Sequence, residues 1–491
     1  MVYSELFDSK NQKPTHTTMS KLTLKEKLGY SAGEIGSTIS WQGMMFFLGF
    51  FYTDIFGLPA ITAGYLLFLP RFFDAFVDPI VGVIADRTNT RWGKFRPYIL
   101  WFFIPYSVLM VLMYVTPDFS LTGKTIYAYI TYILMMIIYS LIMTPYNALG
   151  GVITNDHIDR TSLQSYRFLM AFVGGLLIRG LTKPLANLFG GGYNPANDMP
   201  MNPQKGFMLT MLVFAIISLA AFYFTFASTK ERVAPPPKQR TPLLTDLKDL
   251  INNRPWIILF FVSTLNLIYV GAWSASMAYF FKYYMSVKTL QVFGFNTGYD
   301  LFSAFNVFGS IIIILVLAFP VSNWLAKRFG KRNTLVVCFS LVAASIAGFY
   351  LCRPTDAGLT LFFQFIQSAA AAPTMPLIWS MYADAADYSE WKNNRRATGL
   401  VFSAVVMGQK AGIALGSAIT LWVLGKAGYN QEVMQQSGSA LAAIRYSMSL
   451  IPGAIALVTG LLCIFYPISN AKMDQIQAEL SLRRQNETQT I

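Results

Sequence analysis

Charged residues and histidine are scarce in this chain of 491 residues. Only 13% of its residues are charged, whereas a soluble domain carries about 25%. The two histidines, His16 and His157, lie far apart, so the sequence offers no spacing for a zinc or haem site. The three cysteines, Cys338, Cys352 and Cys463, fall in apolar segments without a paired spacing, which is typical of small core residues. A soluble enzyme, a metalloprotein and a disulfide-stabilised scaffold are therefore disfavoured.

Hydrophobic residues make up 54% of the chain and are concentrated in long blocks between short charged loops. Blocks of about 20 apolar residues are typical of transmembrane helices. We therefore predict an all-α polytopic membrane protein with twelve spans. The predicted spans are 30–54, 60–85, 97–116, 123–150, 165–189, 206–228, 255–281, 301–325, 334–352, 358–383, 397–425 and 442–468. Residues 1–27 are polar and basic, so the first span is expected to serve as its own insertion signal.

The distribution of Lys and Arg predicts the orientation of these spans. With the N-terminus inside, the inner segments hold 26 Lys and Arg and the outer loops hold 7. Basic residues collect in cytoplasmic loops, so we predict that both termini are cytoplasmic and that the chain lies in the plasma (inner) membrane. The same rule accounts for the net charge of +14 without a nucleic-acid partner.

The chain divides into two similar halves. Residues 229–254 contain three consecutive prolines and alternating charges, which indicates a linker. A basic, glycine-containing turn follows the second span of each half. Two six-helix bundles with a site at the midplane are typical of secondary transporters. The predicted units are a tail, a bundle, a linker, a second bundle and a C-terminal tail, at 1–29, 30–228, 229–254, 255–468 and 469–491.

Two aspartates lie inside the second span, where an apolar helix rarely tolerates one. A carboxylate at the centre of such a helix costs about 2.5–3.5 kcal/mol on insertion scales. Asp74 and Asp78 are four residues apart and therefore share a helical face, which also carries Arg71. This pattern predicts a cation or proton site, and a static ion pair with Arg71 is the alternative. Four further basic residues lie in spans or at their edges and carry the same implication of function, namely Arg167, Arg179, Lys183 and Lys410.

Several motifs resemble one family of transporters. They include Phe51–Gly57, the DxxxDP pattern at Asp74–Pro79, Arg91–Pro97, Pro145–Leu149 and Asp384–Trp391. The sequence is similar to the glycoside–pentoside–hexuronide:cation symporters (melibiose-permease-like) of the major facilitator superfamily. The resemblance implies the major facilitator fold and uptake of a sugar or glycoside with H⁺ or Na⁺ by alternating access. It implies no enzymatic activity and no cofactor other than the coupling ion.

The resemblance also implies a cation site formed by Asp74, Asp78 and Ser140. Val77 stands where the family has an asparagine, so one oxygen ligand is missing, which favours H⁺ over Na⁺ without deciding between them.

The sugar-binding carboxylates of the family are absent, so α-galactosides are not expected. The segment 150–156 resembles the pentoside and xyloside branch, and a hexuronide is the other option because the cationic side chains lack matching acids. The predicted substrate-binding residues are Thr38, Trp41, Gln42, Asn147, Arg167 and Lys410.

Each of these positions has a simpler interpretation. Arg167 could be a structural partner of Glu34, Lys410 could extend towards the membrane surface, and Trp41 could face lipid. The predicted inner gate consists of charged residues, with a solvated loop as its alternative, namely Asp86, Arg87, Arg91, Arg328, Asp384, Asp387 and Arg396. A lipid or lysolipid transporter of the same fold is the alternative function. We expect a monomer with a sugar, a monovalent cation and the lipid bilayer as partners.

Overall fold

The structure is a computed structural model that describes residues 22–154, 157–232, 251–292, 295–318, 321–393 and 398–489. Most of these residues lie in helices. In chain order the helices are α1 Leu24–Gly43, α2 Ala60–Arg87, α3 Arg96–Leu112, α4 Leu121–Val152, α5 His157–Phe189, α6 Pro203–Ser228, α7 Arg254–Tyr279, α8 Leu301–Ala318, α9 Val321–Phe329, α10 Lys331–Gly348, α11 Ala357–Ala371, α12 Thr374–Asn393, α13 Thr398–Lys426, α14 Gly438–Met448, α15 Leu450–Ile464 and α16 Asn470–Gln489.

Helices, or runs of consecutive helices, occupy the positions of the predicted spans. In the described part of the chain, seven helical stretches are long and apolar enough to cross a membrane. Two further helices, at 96–112 and 301–317, are apolar but shorter. The structure therefore has the helical, membrane-spanning character that the sequence predicts, and the number of twelve crossings stays a prediction.

Local sequence signals fix where several helices begin. Thr23 and Glu26 form a capping box at the start of α1, in which the Thr23 hydroxyl accepts from the Glu26 amide at 3.3 Å. Pro97, Pro203 and Pro255 stand in the first turns of α3, α6 and α7, where a backbone N–H has no partner within the helix. These signals determine the residue at which each helix begins.

The ends of α1 and α7 are wound more loosely than a regular α-helix. α1 continues into two π turns, Met44–Leu48 and Phe51–Ile55. α7 continues into a π turn at Phe280–Tyr284. Both continuations lie at the end of the molecule that the charge count predicts to face outward, which we call the outer end. Single π turns occur frequently at functional positions.

Two short hairpins lie at the same outer end. β1 Tyr193–Asn194 pairs antiparallel with β2 Met199–Pro200 between α5 and α6. β3 Thr289–Val292 pairs antiparallel with β4 Phe295–Asp300 between α7 and α8. The hairpins bring polar side chains of the N-terminal half (22–232) and of the C-terminal half (251–489) close to each other.

The two halves pack closely along α2 and α13. A Cβ atom built on Gly64 would lie 2.7 Å from the Trp422 ring, and one on Gly425 would lie 2.5 Å from Ile61. Such distances are shorter than real Cβ contacts, so these glycines allow the two helices to approach. This close contact extends along the helices that carry the buried charges described below.

An ionic cluster closes the outer end between the halves. Asp54, on the second π turn after α1, lies 2.7 Å from Lys282 Nζ on the π turn after α7. Its carboxylate also accepts hydrogen bonds from Tyr283 and, at 2.6 Å, from Tyr429. The Asp54 side chain has no exposed surface. These three partners of Asp54 belong to the C-terminal half, and the neighbouring Thr53 hydroxyl donates to the same carboxylate at 2.8 Å.

A second ionic cluster joins the hairpins to α5. Lys183 Nζ lies 2.6 Å from Asp300 and 3.3 Å from Asp198. Lys288 lies 3.5 Å from Asp198, and the Tyr193 hydroxyl donates to Asp198 at 2.8 Å. Burial and the Asp198 carboxylate raise the pKa of Tyr193 above its ordinary range, so this hydroxyl remains a donor. The outer ends of the two halves are thus held together by charge pairs in a closed arrangement.

We predict that Asp54→Asn opens the outer end. Removal of one partner from a buried ion pair costs about 3–5 kcal/mol, because the other charge remains unpaired. A cysteine placed at Phe50, beneath this cluster, should then react faster with a membrane-impermeant maleimide added from outside. The exposed acid Asp118 provides the control variant, Asp118→Asn. Equal reactivity in the Asp54→Asn and wild-type backgrounds would contradict the prediction.

Candidate functional site

The two aspartates of α2 share one lysine of α13. Lys410 Nζ lies 2.8 Å from Asp74 Oδ2 and 2.6 Å from Asp78 Oδ2. Ser140 of α4 donates to Asp74 Oδ1 at 2.8 Å. Asp74 is 2% exposed and Lys410 is 9% exposed. The pair of carboxylates therefore already holds one positive charge, and this charge connects α2 of the N-terminal half with α13 of the C-terminal half.

A second hydroxyl of α4 completes this group. Thr144 Oγ1 donates to Asp78 Oδ1 at 3.1 Å. It lies four residues after Ser140, so the two hydroxyls repeat on α4 with the same spacing as the two carboxylates on α2. We call Asp74, Asp78, Ser140, Thr144 and Lys410 the carboxylate cluster. It offers four carboxylate oxygens and two hydroxyl oxygens around one ammonium group.

Arg167 of α5 pairs with an acid of α1. Its Nε lies 2.6 Å from Glu34 Oε2, and its Nη2 donates to Asn147 Oδ1 at 2.6 Å. The guanidinium carbon lies 5.1 Å from the centre of the Tyr146 ring. Arg167 is thus paired with Glu34, as the simpler interpretation of this residue expects. Asn147 is exposed, so Arg167 and Asn147 together present polar groups at an accessible position.

Trp41 contacts a buried arginine. The Arg71 guanidinium carbon lies 4.4 Å from the centre of the Trp41 ring, and Tyr139 packs against the same ring at 5.4 Å. Arg71 is 2% exposed, and its Nε and Nη2 atoms have no hydrogen-bond partner among the described residues. The static ion pair of Arg71 with the two aspartates is not formed, because Lys410 takes that place. Trp41 is oriented towards protein at this contact.

Thr38 and Gln42 line the side of α1 that faces α5. Thr38 is buried, and a Cβ atom built on Gly174 would lie 3.2 Å from it. A Cβ atom on Gly175 would lie 2.7 Å from Gln42 Nε2 and 3.0 Å from Arg179 Nη2. The absence of a side chain at Gly175 therefore leaves room for the Gln42 amide and the Arg179 guanidinium next to each other.

The predicted gate residues are dispersed over the inner end. Asp384 of α12 pairs with Lys331 of α10 at 2.6 Å, within the C-terminal half. Arg87 is exposed, whereas the Arg91 and Arg328 guanidinium groups lie over neighbouring aromatic rings. The gate hypothesis expects Asp384 to pair with Arg87, Arg91 or Arg328 in an outward-open state. Since the outer end is closed here, that pairing stays a prediction.

Three other gate positions add little to this arrangement. Asp387 is half-buried on α12. Asp86 lies in the last turn of α2, and Arg396 lies outside the described residues. Nearby on the inner side, Glu26 pairs with Arg232. Burial alone would raise the pKa of Glu26, but hydrogen bonds from Thr23 and Arg232 hold it below its ordinary value.

The structure thus brings the predicted cation and substrate residues into three neighbouring groups. The carboxylate cluster contains every predicted cation ligand together with Lys410, which the sequence assigned to the substrate. Sequence reasoning missed Thr144, although its spacing of four from Ser140 was a usable signal once Asp74 and Asp78 showed the same spacing. It also missed Arg71 as a group with unpartnered nitrogen atoms, which only the three-dimensional contacts reveal.

Comparisons with known proteins show the family of this chain. Residues 29–470 match the family described as MFS/sugar transport protein. The chain is 36% identical to the inner membrane symporter YicJ of Escherichia coli (strain K12) over 464 residues, which cover 94% of this chain and 95% of YicJ. It is 32% identical to the isoprimeverose transporter of Lactiplantibacillus pentosus, with 93% and 90% of the two chains covered. It is 29% identical to the glucuronide carrier protein homolog of Escherichia coli (strain K12), with 96% and 98% covered.

Solved structures support the fold. A bacterial homologue of the human drug peptide transporters PepT1 and PepT2 superposes with a TM-score of 0.68 at 14% identity, covering 92% of this chain and 99% of that one. A variant of the nucleoside transporter NupG superposes with a TM-score of 0.62, also at 14% identity, with 89% and 99% covered. These similarities establish a major facilitator fold. The chain is a transmembrane transporter rather than an enzyme, and it belongs to the glycoside–pentoside–hexuronide:cation symporter family of the major facilitator superfamily.

Proposed function

We propose that this protein takes up a sugar or glycoside together with a monovalent cation, by alternating access across the inner membrane. The observation that carries the proposal is the position of Lys410 between Asp74 and Asp78. Two carboxylates buried in an apolar span need a positive charge, and here an internal ammonium group supplies it. A coupling cation would bind the same carboxylates, so it must compete with Lys410.

Competition at this position provides a mechanism of coupling. When a cation occupies the carboxylate cluster, Lys410 is displaced, and the ion pair between α2 and α13 is lost. The released ammonium group can then donate to a sugar hydroxyl or carboxylate, which is the role that the sequence predicts for it. Because coupling between two ligands is reciprocal, the sugar must tighten cation binding by the same factor.

The substrate site is proposed to lie next to this cluster. Arg167 and Asn147 present hydrogen-bond donors and acceptors at an accessible position. Thr38, Trp41 and Gln42 contribute further side chains from α1. An aromatic ring combined with amide and charged groups suits a sugar, which has an apolar face and many hydroxyls. An acyl chain would leave these polar groups unpaired, so the lipid or lysolipid alternative is less well supported.

The names of the relatives support two types of substrate for this chain. The isoprimeverose transporter supports a pentoside, xyloside or related oligosaccharide. The glucuronide carrier homolog supports a hexuronide. Counterflow in proteoliposomes with pentosides, glucosides, galactosides and hexuronates, each with and without Na⁺, tests the proposal directly. Cation-dependent exchange of at least one of these sugars is expected, and exchange of none would overturn the proposal.

We predict that the double variant Asp74→Asn, Asp78→Asn loses concentrative uptake. Without the carboxylates no cation is carried, so the ion gradient no longer drives the sugar. Counterflow, which needs no gradient, should persist. Uptake against a gradient and counterflow are measured side by side, with Asp474→Asn on the exposed face of α16 as control. Accumulation by the double variant would show that this pair is not the coupling site.

We predict that Lys410→Met raises the affinity for Na⁺. The internal competitor is removed, and coupling terms of this kind correspond to roughly 5- to 150-fold. Sodium titration of the thermal unfolding of the purified protein measures the effect, and Lys426→Met at the C-terminal end of α13 serves as control. An unchanged Na⁺ midpoint in Lys410→Met would mean that the cation does not bind where Lys410 now lies.

Thr144 bears on the choice between Na⁺ and H⁺. Hard cations are bound by several oxygen ligands, whereas a proton needs one carboxylate. The Thr144 hydroxyl supplies an oxygen beside Asp78, where Val77 supplies none, and this supports Na⁺.

Thr144→Val should therefore lower the affinity for Na⁺ by roughly tenfold or more, since a hydrogen-bonding group next to a charge is lost. Thr144→Ser should retain it, and Val77→Asn should restore it in the Thr144→Val background. The measurement is the Na⁺ dependence of counterflow at constant pH. A Thr144→Val protein with wild-type Na⁺ dependence would instead favour H⁺.

A further inference from the structure

Two arginines in the middle of the molecule lack a carboxylate partner among the described residues. Arg71 is almost completely buried, its Nε and Nη2 atoms have no hydrogen-bond partner, and it contacts the Trp41 ring. Arg179 donates from Nε to Gly175 O of its own helix at 3.2 Å, and its guanidinium carbon lies 5.4 Å from the centre of the Phe46 ring.

Both arginines pack against the same stretch of α1 and its first π turn, residues 41–46. Arg71 reaches it from α2 and Arg179 from α5. Gln42 lies between the two contacts, with its amide nitrogen beside Arg179 and its Oε1 buried without a hydrogen-bond partner in the described structure. The stretch therefore carries two cations and an unsatisfied amide oxygen, which accepts hydrogen bonds from hydroxyls.

The charges of the ionised side chains between the outer clusters and the inner loops do not sum to zero. The three described acids there are Glu34, Asp74 and Asp78, and the four described bases are Arg71, Arg167, Arg179 and Lys410. Glu34 pairs with Arg167, and the two aspartates pair with Lys410. At the outer end, by contrast, three lysines face three aspartates, so charge is balanced there.

Loading the coupling cation makes the imbalance larger. The region has a net charge of +1 when empty, from its three acids and four bases, and a bound cation makes this +2. A neutral sugar leaves both positive charges uncompensated in a medium where isolated charges are costly. A substrate with one negative charge returns the region to +1. The contacts with Trp41 and Phe46 stabilise the guanidinium groups but supply no opposite charge.

We propose that Arg71, Arg179 and Gln42 form a subsite for a carboxylate, so that the transported substrate is a sugar acid rather than a neutral sugar. This inference rests on the proposed sugar:cation symport. A guanidinium group presents parallel N–H donors that match the two oxygens of a carboxylate. Of the cations that the sequence offered for this purpose, Arg167 already has an acidic partner, and Lys410 has two until a cation displaces it.

The test compares pairs of glycosides that differ only in carrying a carboxylate or a hydroxymethyl group. Methyl glucuronide with methyl glucoside, and methyl galacturonide with methyl galactoside, are offered to the full chain in proteoliposomes, in the presence of Na⁺ and at two pH values. Uptake should favour the acid of at least one pair by tenfold or more. Arg179→Gln should reduce this acid-to-neutral ratio by tenfold or more, and Arg179→Lys should reduce it less.

Arg445→Gln is the matched control. Arg445 also lies over an aromatic ring, 4.5 Å from the centre of Tyr350, but in the last turn of α14, away from Arg71 and Arg179 in the chain. Its replacement should leave the acid-to-neutral ratio as in the wild type. Arg71→Lys, which keeps the buried charge, provides a second variant that should also lower the ratio because the forked donor is lost.

The outcomes distinguish a failure of the sugar-acid subsite from a failure of the proposed symport. Cation-dependent uptake that does not distinguish acid from neutral glycoside, and that is unchanged in Arg179→Gln, would overturn the sugar-acid subsite while the symport function stands. Absence of cation-dependent uptake for every glycoside in the panel would overturn both. A wild-type preference for the acid that survives in both the Arg179→Gln and Arg71→Lys proteins would place the carboxylate elsewhere and would also overturn this subsite.

Discussion

The burial of charge in apolar helices is the constraint on which the rest of this structure depends. Removing an ionised group from water costs several kcal/mol even after the protein relaxes, so each such group needs a partner. Asp74 and Asp78 share Lys410, Glu34 holds Arg167, and the outer acids hold the outer lysines. These pairs join different helices, except that Lys183 of α5 pairs with Asp300 of strand β4. The interactions that make the charges tolerable are thus also the ones that determine which helices stay together.

The contacts that cross between the halves lie at two depths, the outer end and mid-span. The Asp54 cluster joins α1 to α7 at the outer end, and Lys410 joins α2 to α13 at mid-span. A transporter that alternates between two openings has to break the first contact in each cycle. The second contact can be exchanged for a bound cation without leaving the aspartates unpaired. In this view the coupling ion replaces an internal ion of the same charge, so the two aspartates stay paired while the ion pair that joins the halves is lost.

Sequence alone predicted the helical membrane fold and the family, because apolar blocks and local motifs are written in consecutive residues. It also identified Asp74, Asp78 and Ser140, since the first two share a helical face and the third follows from the resemblance. It did not identify the partner of Lys410, which is 336 positions from Asp74 in the chain. Nor did it identify Thr144, because the register of α4 against α2 depends on packing between helices that no local pattern encodes. The roles of the predicted cation, substrate and gate residues remain predictions, and Arg396 lies outside the described residues.

The π turns at the ends of α1 and α7 have a mechanical consequence. Asp54 and Lys282, the two partners of the outer ion pair, both lie on such turns, at corresponding positions of the two halves. A π turn contains one residue more per hydrogen-bonded ring than an α-helical turn, so a change from one winding to the other rotates every side chain beyond it. Both partners of the outer ion pair therefore lie on turns whose winding can change. Rewinding a single turn on each side would turn the carboxylate and the ammonium group away from each other, while the long helices below keep their shape and move as rigid rods.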